Sequence, residues 1–207
     1  MPAAAEYPVF SKPQAYRTTL PSRFGDILIC WTEEPKAKLQ RIFLPRDGNS
    51  GDSEARAAFP DAAFRNRASG LPELLTRCAA SIETLLSGQP IAAPIELLAE
   101  SLRALPAFQR RVLVLEATIP FGHISTYGAL ALAAGLPAGA RAAASALSHN
   151  PFPLLIPCHR VISASGNLTG YQGGTPMKAE LLRQEGIAVE GSRVAISSAI
   201  MWHFPSP

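Results

Sequence analysis

The chain has 207 residues, 47% of them apolar and only 17% charged, which excludes a disordered chain and allows one large or two small hydrophobic cores. No stretch reaches the ~18 apolar residues of a membrane-spanning helix, and Met1-Pro2-Ala3 lacks the basic-then-apolar order of a secretory leader. Three scattered cysteines, Cys30, Cys78 and Cys158, exclude a disulfide scaffold and a Cys-rich metal site, so a soluble, cytoplasmic protein without a metal is expected.

The net charge of +3 is unevenly spread: residues 1–100 carry 11 Lys/Arg against 12 Asp/Glu, and residues 101–207 carry 8 against 4. A polyanionic partner would meet the C-terminal half, although an imbalance this small also arises by chance.

In chain order, residues 1–24 read as an irregular lead-in. Ile27–Thr32 and Leu39–Leu44 read as two strands separated by the polar insert 33–38. Residues 46–70 are rich in turn formers and charges and predict a long, mobile connection. Leu71, Leu75, Cys78, Ile82 and Leu85 then repeat at helical spacing, with Pro72 in the first turn and Gly88 past the end. Cys78 lies on that stripe and Cys30 within a strand, so both read as core thiols.

The two prolines of residues 89–97 mark a domain boundary. A helix starts near Pro106, with Phe108, Val112 and Leu115 on one face, and stops before Pro120. Two short helices follow, Tyr127–Ala134 and about Ala138–Ser148, joined by a Gly135-Leu136-Pro137 turn in a helix-turn-helix pattern. The second is built almost wholly from small residues, and Arg141 is the only long side chain between Ala138 and Ala146. Small residues allow close approach to another surface, with Arg141 projecting alone. The same composition also suits a helix wedged between two others, with Arg141 a surface charge.

Residues 150–173 carry the chemistry. Cys158 lies between the strand-like runs 154–156 and 161–162, and His159 and Arg160 follow it directly, so positive charge favours the nucleophilic thiolate. Neighbours in a strand point to opposite faces, which makes a Cys–water–His relay more plausible than direct contact. The alternative is a buried cysteine beside a solvent-facing histidine. The last helix has Thr175 as N-cap, Pro176 at its first position and Gly186 past its end. Glu185 therefore sits in the final turn, where the helix dipole disfavours a carboxylate. Such a placement suits a carboxylate that orients His159, or a solvated one at a frayed end.

Ile156-Pro157-Cys158-His159-Arg160-Val161, preceded by Asn150-Pro151 and followed by Gly170-Tyr171, resembles the active-site signature of the O6-alkylguanine-DNA alkyltransferases. The resemblance covers roughly residues 106–190, through Phe108-Gln109-Arg110, Ile119-Pro120-Phe121-Gly122, Tyr127-Gly128, Arg141 and Glu185-Gly186. It implies an α+β fold, with a variable, RNase H-like α/β domain over 1–95 and a helical winged-helix/helix-turn-helix domain over 96–207. It also implies direct repair by a monomer, without cofactor or membrane, nucleoid-associated if bacterial. Double-stranded DNA containing O6-alkylguanine is bound in its minor groove and the damaged nucleotide is flipped out. The alkyl group, from O4-alkylthymine as well, then moves irreversibly to the cysteine.

Carried onto this sequence, Cys158 accepts the alkyl group, His159 is the base acting through water, Glu185 orients His159, and Asn150 organises the cysteine segment. Tyr127 stabilises the departing guanine and presses on the phosphate. Arg141 fills the vacated stack, with Ala140, Ala142 and Ser145 facing DNA. Pro153, Val161, Tyr171, Gln172 and Gly173 form the pocket, and the carbonyls of Cys158 and Val161 read the guanine amine.

Some positions depart from the family. Ala144 and Ser145 replace small residues that include glycine, and Gln172 replaces the usual serine or alanine. The N-terminal zinc ligands of some members have no counterpart, because no histidine precedes His123. The four-cysteine zinc domain of the adaptive-response regulators is also missing. Two other readings are a lesion-binding protein without transfer activity, which the presence of Cys158 disfavours, and a multiple-turnover Cys-His hydrolase.

Overall fold

Residues 13–46 and 50–205 are described by the computed structural model. Strands β1 (Ala15–Leu20), β2 (Ile27–Thr32) and β3 (Lys38–Phe43) form an antiparallel meander, and the short β4 (Ala63–Phe64) pairs parallel to β1, giving the order β3-β2-β1-β4. β2 is buried at every position, as expected for a central strand covered on both faces. Ile27, Ile29 and Trp31 enter the main core, whereas Leu28 and Cys30 pack on the opposite face with Phe43 and Ala55.

Ala55 belongs to α1 (Asp52–Ala58), which lies in the stretch expected to be a mobile connection. That expectation is corrected: α1, β4 and a 3-10 turn at Arg67–Ser69 occupy residues 52–69. A Cβ on Gly51 would lie 2.7 Å from the Phe43 side chain, so the chain passes too close to β3 for any other residue without a shift. β1 likewise replaces part of the irregular lead-in, whose residues 1–12 lie outside the described residues, as do 47–49 of the connection.

Helix α2 (Glu73–Leu86) buries Leu75, Cys78, Ile82 and Leu85, the predicted stripe, and Gly88 beyond it takes φ +80°. α3 (Ile95–Arg103) rises from the stretch read as a boundary. Its Leu98 and Leu102 enter the main core, and its Ser101 hydroxyl donates to the Leu39 carbonyl at 2.5 Å, tying α3 to β3. α4 (Ala107–Glu116) buries Val112, Leu113 and Glu116, while Phe108 and Leu115 stay half-buried. The inward face is therefore turned from the predicted one, and it ends on a carboxylate.

α5 (Tyr127–Ala133) and α6 (Ala140–Ser148) follow, each slightly shorter than expected, because the turn extends to Ala138 at φ +59°. β5 (Ser125–Thr126) pairs parallel with β6 (Val161–Ile162). α7 (Gly174–Gln184) packs beside a hairpin of β7 (Val189–Glu190) and β8 (Arg193–Val194). The fold is mixed α+β, and its main core runs continuously from Leu20 in β1 to Leu181 in α7. The Ile42 N–H donates to the Pro151 carbonyl at 2.8 Å, anchoring the segment before Cys158 against β3. Among the described residues no helix is long and apolar enough to cross a membrane.

Candidate active site

Asn150 is fully buried and shapes the segment that follows. Its Oδ1 accepts the Phe152 N–H at 2.9 Å, and its Nδ2 donates to the Ile156 carbonyl at 3.3 Å. Residues 154–156 are consequently not the strand read from their apolar character. Stapled at both ends by one side chain, they fold back in a tight loop, with Leu154 at φ +72°. Cys158–Arg160 then form a single 3-10 turn that leads into β6. With three residues per turn, successive side chains diverge by about 120°, so His159 and Arg160 leave the sulfur's side.

Both converge on Glu185. His159 Nε2 lies 2.8 Å from Glu185 Oε1, and Arg160 donates to both carboxyl oxygens at 2.9–3.1 Å while its Nη1 reaches the Ile119 carbonyl at 2.7 Å. The Gly122 N–H adds a fifth hydrogen bond at 3.2 Å. Burial pushes the Glu185 carboxyl up, but the His159 hydrogen bond and the Arg160 guanidinium outweigh it and hold the group down at about 2. A carboxylate can thus end α7 against the helix dipole. Thr175 is not the N-cap of that helix. α7 begins at Gly174 after a close glycine approach, where a Cβ on Gly173 would meet Met177 Sδ at 2.3 Å, and no side chain caps it.

Burial lowers the pKa of His159. Its Nδ1 is buried with no hydrogen-bond partner among the described residues. Because the ionised Glu185 can only accept, Nε2 carries the proton and Nδ1 is left as a base.

The sulfur itself departs from expectation. Burial, reinforced by nearby Glu116, pushes the Cys158 thiol up to about 12, against smaller opposing effects from Asn150 and Lys178. The resting group is a thiol rather than a thiolate, because burial dominates and the two basic neighbours in sequence turn to Glu185 instead of the sulfur. Lys178 is the cation that bears on it. Buried in α7, its ammonium donates to the carbonyls of Val161 at 2.7 Å and Thr169 at 3.1 Å, and lies 5.9 Å from the Tyr127 ring centre.

Cys158 is 5% exposed and opens onto a cleft of about 240 Å³ lined also by Arg46, Tyr127, Leu147, Ser148, Gly170, Tyr171 and Gln172. Of the expected pocket residues, Tyr171 and Gln172 line it. Pro153, Val161 and Gly173 do not: they are buried behind the wall, in the loop, β6 and the glycine approach respectively. The Val161 carbonyl accepts from Lys178, which occupies one of its two lone pairs. Tyr127 donates its hydroxyl to the Thr169 carbonyl at 3.1 Å, and Gln172 Nε2 donates to the Asn150 carbonyl at 2.6 Å. Sequence reasoning missed Arg46, which reaches the cleft from the end of β3, and Ser148 on α6. It also missed the buried charges Lys178 and Glu116, and it assigned Arg160 to the sulfur where the structure pairs it with Glu185.

On α6, Ala143, Ala146 and Leu147 face inward, while Arg141, Ser145 and Ser148 form an exposed stripe and Ala140 and Ala142 are half-buried. At 1.5 Å per residue, Arg141 stands roughly 10 Å along the helix from Ser148 at the cleft rim. Arg141, Ser145 and Ser148 recur at i, i+4 and i+7, so Arg141 lies on the face of α6 that carries the cleft rim, and α6 is not wedged between neighbours on all sides.

Residues 107–187 match the family described as 6-O-methylguanine DNA methyltransferase, DNA binding domain. A methylated-DNA–protein-cysteine methyltransferase of Methanothermobacter thermautotrophicus is 54% identical over 84 residues, 41% of this chain and 47% of that protein. The human protein of the same name is 36% identical over 174 residues, 82% of this chain and 80% of its own length. The chain thus spans about half of the archaeal relative and four-fifths of the human one. Among solved structures, Mycobacterium tuberculosis O6-methylguanine methyltransferase superposes with a TM-score of 0.59 at 25% identity, covering 83% of this chain and 93% of that one. The mycobacterial protein in complex with DNA gives 0.56 at 25% identity, covering 82% and 92%.

Proposed function

The chain belongs to the methylated-DNA–protein-cysteine methyltransferase family, and from that premise we propose that it repairs O6-alkylguanine in duplex DNA by moving the alkyl group irreversibly to Cys158. The observation that carries the reading is a sulfur at the base of a cleft on the same side as an exposed, small-residue helix that bears a lone arginine. The DNA seated on the mycobacterial relative supports a duplex as the partner.

In this reading α5 and α6 act as a helix-turn-helix within a winged-helix half, and the small side chains at Ala140, Ala142 and Ser145 let α6 approach DNA closely. Arg141 enters the stack that the flipped nucleotide vacates, offsetting part of the few kcal/mol that extrusion costs. The damaged base enters the cleft between Tyr127, Tyr171 and Gln172. Cys158 passes its proton through a water to His159 Nδ1, while Glu185 holds the Nε2–H side. The S–C bond forms as the C–O6 bond breaks, the bonding pair stays with the guanine, and a proton returned to the base completes neutral guanine. Tyr127 steadies that departing base. An O4-alkylthymine presents the same O-alkyl carbon to the sulfur.

The product is a thioether that no group here can cleave, so each molecule reacts once. The test is mass spectrometry of the protein after incubation with duplex DNA containing O6-methylguanine. One added methyl on the Cys158 peptide, absent in Cys158→Ala, is the expected result. Lesion binding without a mass gain overturns transfer, and repeated turnover overturns single use.

A further inference from the structure

Helix α4 ends on an acid that the chemistry above does not use. Glu116 is fully buried, and neither carboxyl oxygen has a hydrogen-bond partner among the described residues. The other buried charges around the sulfur are satisfied: Glu185 by His159, Arg160 and the Gly122 N–H, and Lys178 by two carbonyls. An ionised carboxylate left in this position is strongly penalised, so the group holds its proton instead. Burial pushes it up to about 8, against the opposing charges of Lys178 and Arg160.

The groups coupled to Glu116 by charge are Lys178 from α7, Arg160 and Cys158 from the 3-10 turn, Tyr127 from α5 and Tyr171 from the cleft wall. Among charges, Glu116 weighs on the sulfur more than Lys178 does. Beyond burial itself, an ionised Glu116 therefore adds to the opposition against negative charge at Cys158.

We propose that Glu116 is a positioning residue for the reaction at Cys158, a buried proton holder that is neutral while the sulfur sheds its proton and opposes that step once ionised. The inference rests on Cys158 being the reacting sulfur, but not on the identity of the alkyl donor.

The experiment follows alkylation of Cys158 by iodoacetamide in the full chain from pH 6.5 to pH 9, read on the Cys158 peptide, for the parent and for Glu116→Gln. The ratio of variant rate to parent rate should rise about three- to tenfold across that range, the effect of half to one unit of thiol acidity. A ratio that stays constant with pH marks a merely structural residue and overturns the proposal. Glu116→Leu provides the same reading should the glutamine variant fold poorly. Carboxyl-carbon NMR of the parent provides another, and a Glu116 signal titrating below pH 6 overturns the proposal. Because iodoacetamide needs no DNA, a protein that fails to repair O6-methylguanine but shows the rising ratio loses the repair reading alone.

Discussion

Glu185→Gln keeps the shape of the side chain and removes the charge that His159 and Arg160 share. The Glu185 carboxyl is held at about 2, against an ordinary value of 4.5. At 1.36 kcal/mol per unit, this corresponds to about 3 kcal/mol of folding stability. The folded value lies below the unfolded one, so the contribution is complete above pH 4.5 and drains as the pH falls, to about 1.4 kcal/mol at pH 3 and to nothing well below pH 2. The variant also leaves the Arg160 guanidinium, 3% exposed, with a neutral partner, and stranding a buried charge costs about 3–5 kcal/mol. Urea denaturation should therefore place Glu185→Gln about 3–5 kcal/mol below the parent at pH 7, with the gap narrowing by about 2 kcal/mol at pH 3. Alkyl transfer should fall as well, because a neutral amide can turn either its oxygen or its NH2 to the ring and no longer holds the His159 proton on Nε2. A gap under about 1 kcal/mol at pH 7, the scale of an exposed pair, or one that does not change with pH, refutes the reasoning.

Arg141→Ala should slow repair of O6-methylguanine in duplex DNA by at least about tenfold, one part of the few kcal/mol of flipping, and leave the reaction with free O6-benzylguanine far less affected. Equal losses on the two substrates would remove the arginine from the stack. Ser101→Ala deletes the buried hydroxyl that ties α3 to the Leu39 carbonyl, and should lower stability by about 1–3 kcal/mol in urea melts without changing the chemistry at Cys158.

What could be read from the sequence depended on whether the signal was local. β2 and α2 were legible because apolar residues recur at the spacing of one strand and one helix, in segments long enough to show it. α1 was not, since a seven-residue helix with one fully buried side chain, Ala55, carries no periodicity. α3 does show Leu98 and Leu102 four apart, but the prolines at 90 and 94 drew the reading to a domain boundary, and the helix that follows Pro94 went unread. The site divides in the same way. Cys158, His159 and Glu185 stand in short motifs with turn chemistry around them. Arg46, Lys178 and Glu116 reach the cleft or the sulfur from β3, α7 and α4, and nothing in their own neighbourhoods announces it. The expected thiolate failed for this reason: adjacency along the chain placed two positive groups beside Cys158, whereas the 3-10 turn sends both to Glu185.

That failure bears on the chemistry. A thiol that burial pushes up to about 12 rests protonated at pH 7. In the proposed function, where the nucleophile is used once, this inertness is protective, because a standing thiolate would be consumed by any small electrophile before a lesion arrived. Reactivity then has to come from the bound complex. On the proposed mechanism, a base filling the cleft places an electrophilic carbon against the sulfur, and the proton leaves toward His159 Nδ1 as the new bond forms, so free thiolate never accumulates. Burial lowers the basicity of that imidazole, yet Glu185 fixes its tautomer with the lone pair on Nδ1, which is what a relay needs from it. Burial thus acts on sulfur, imidazole and the Glu116 carboxyl in one direction, disfavouring charge in the free protein and leaving the transfer itself as the step in which charge is allowed to move.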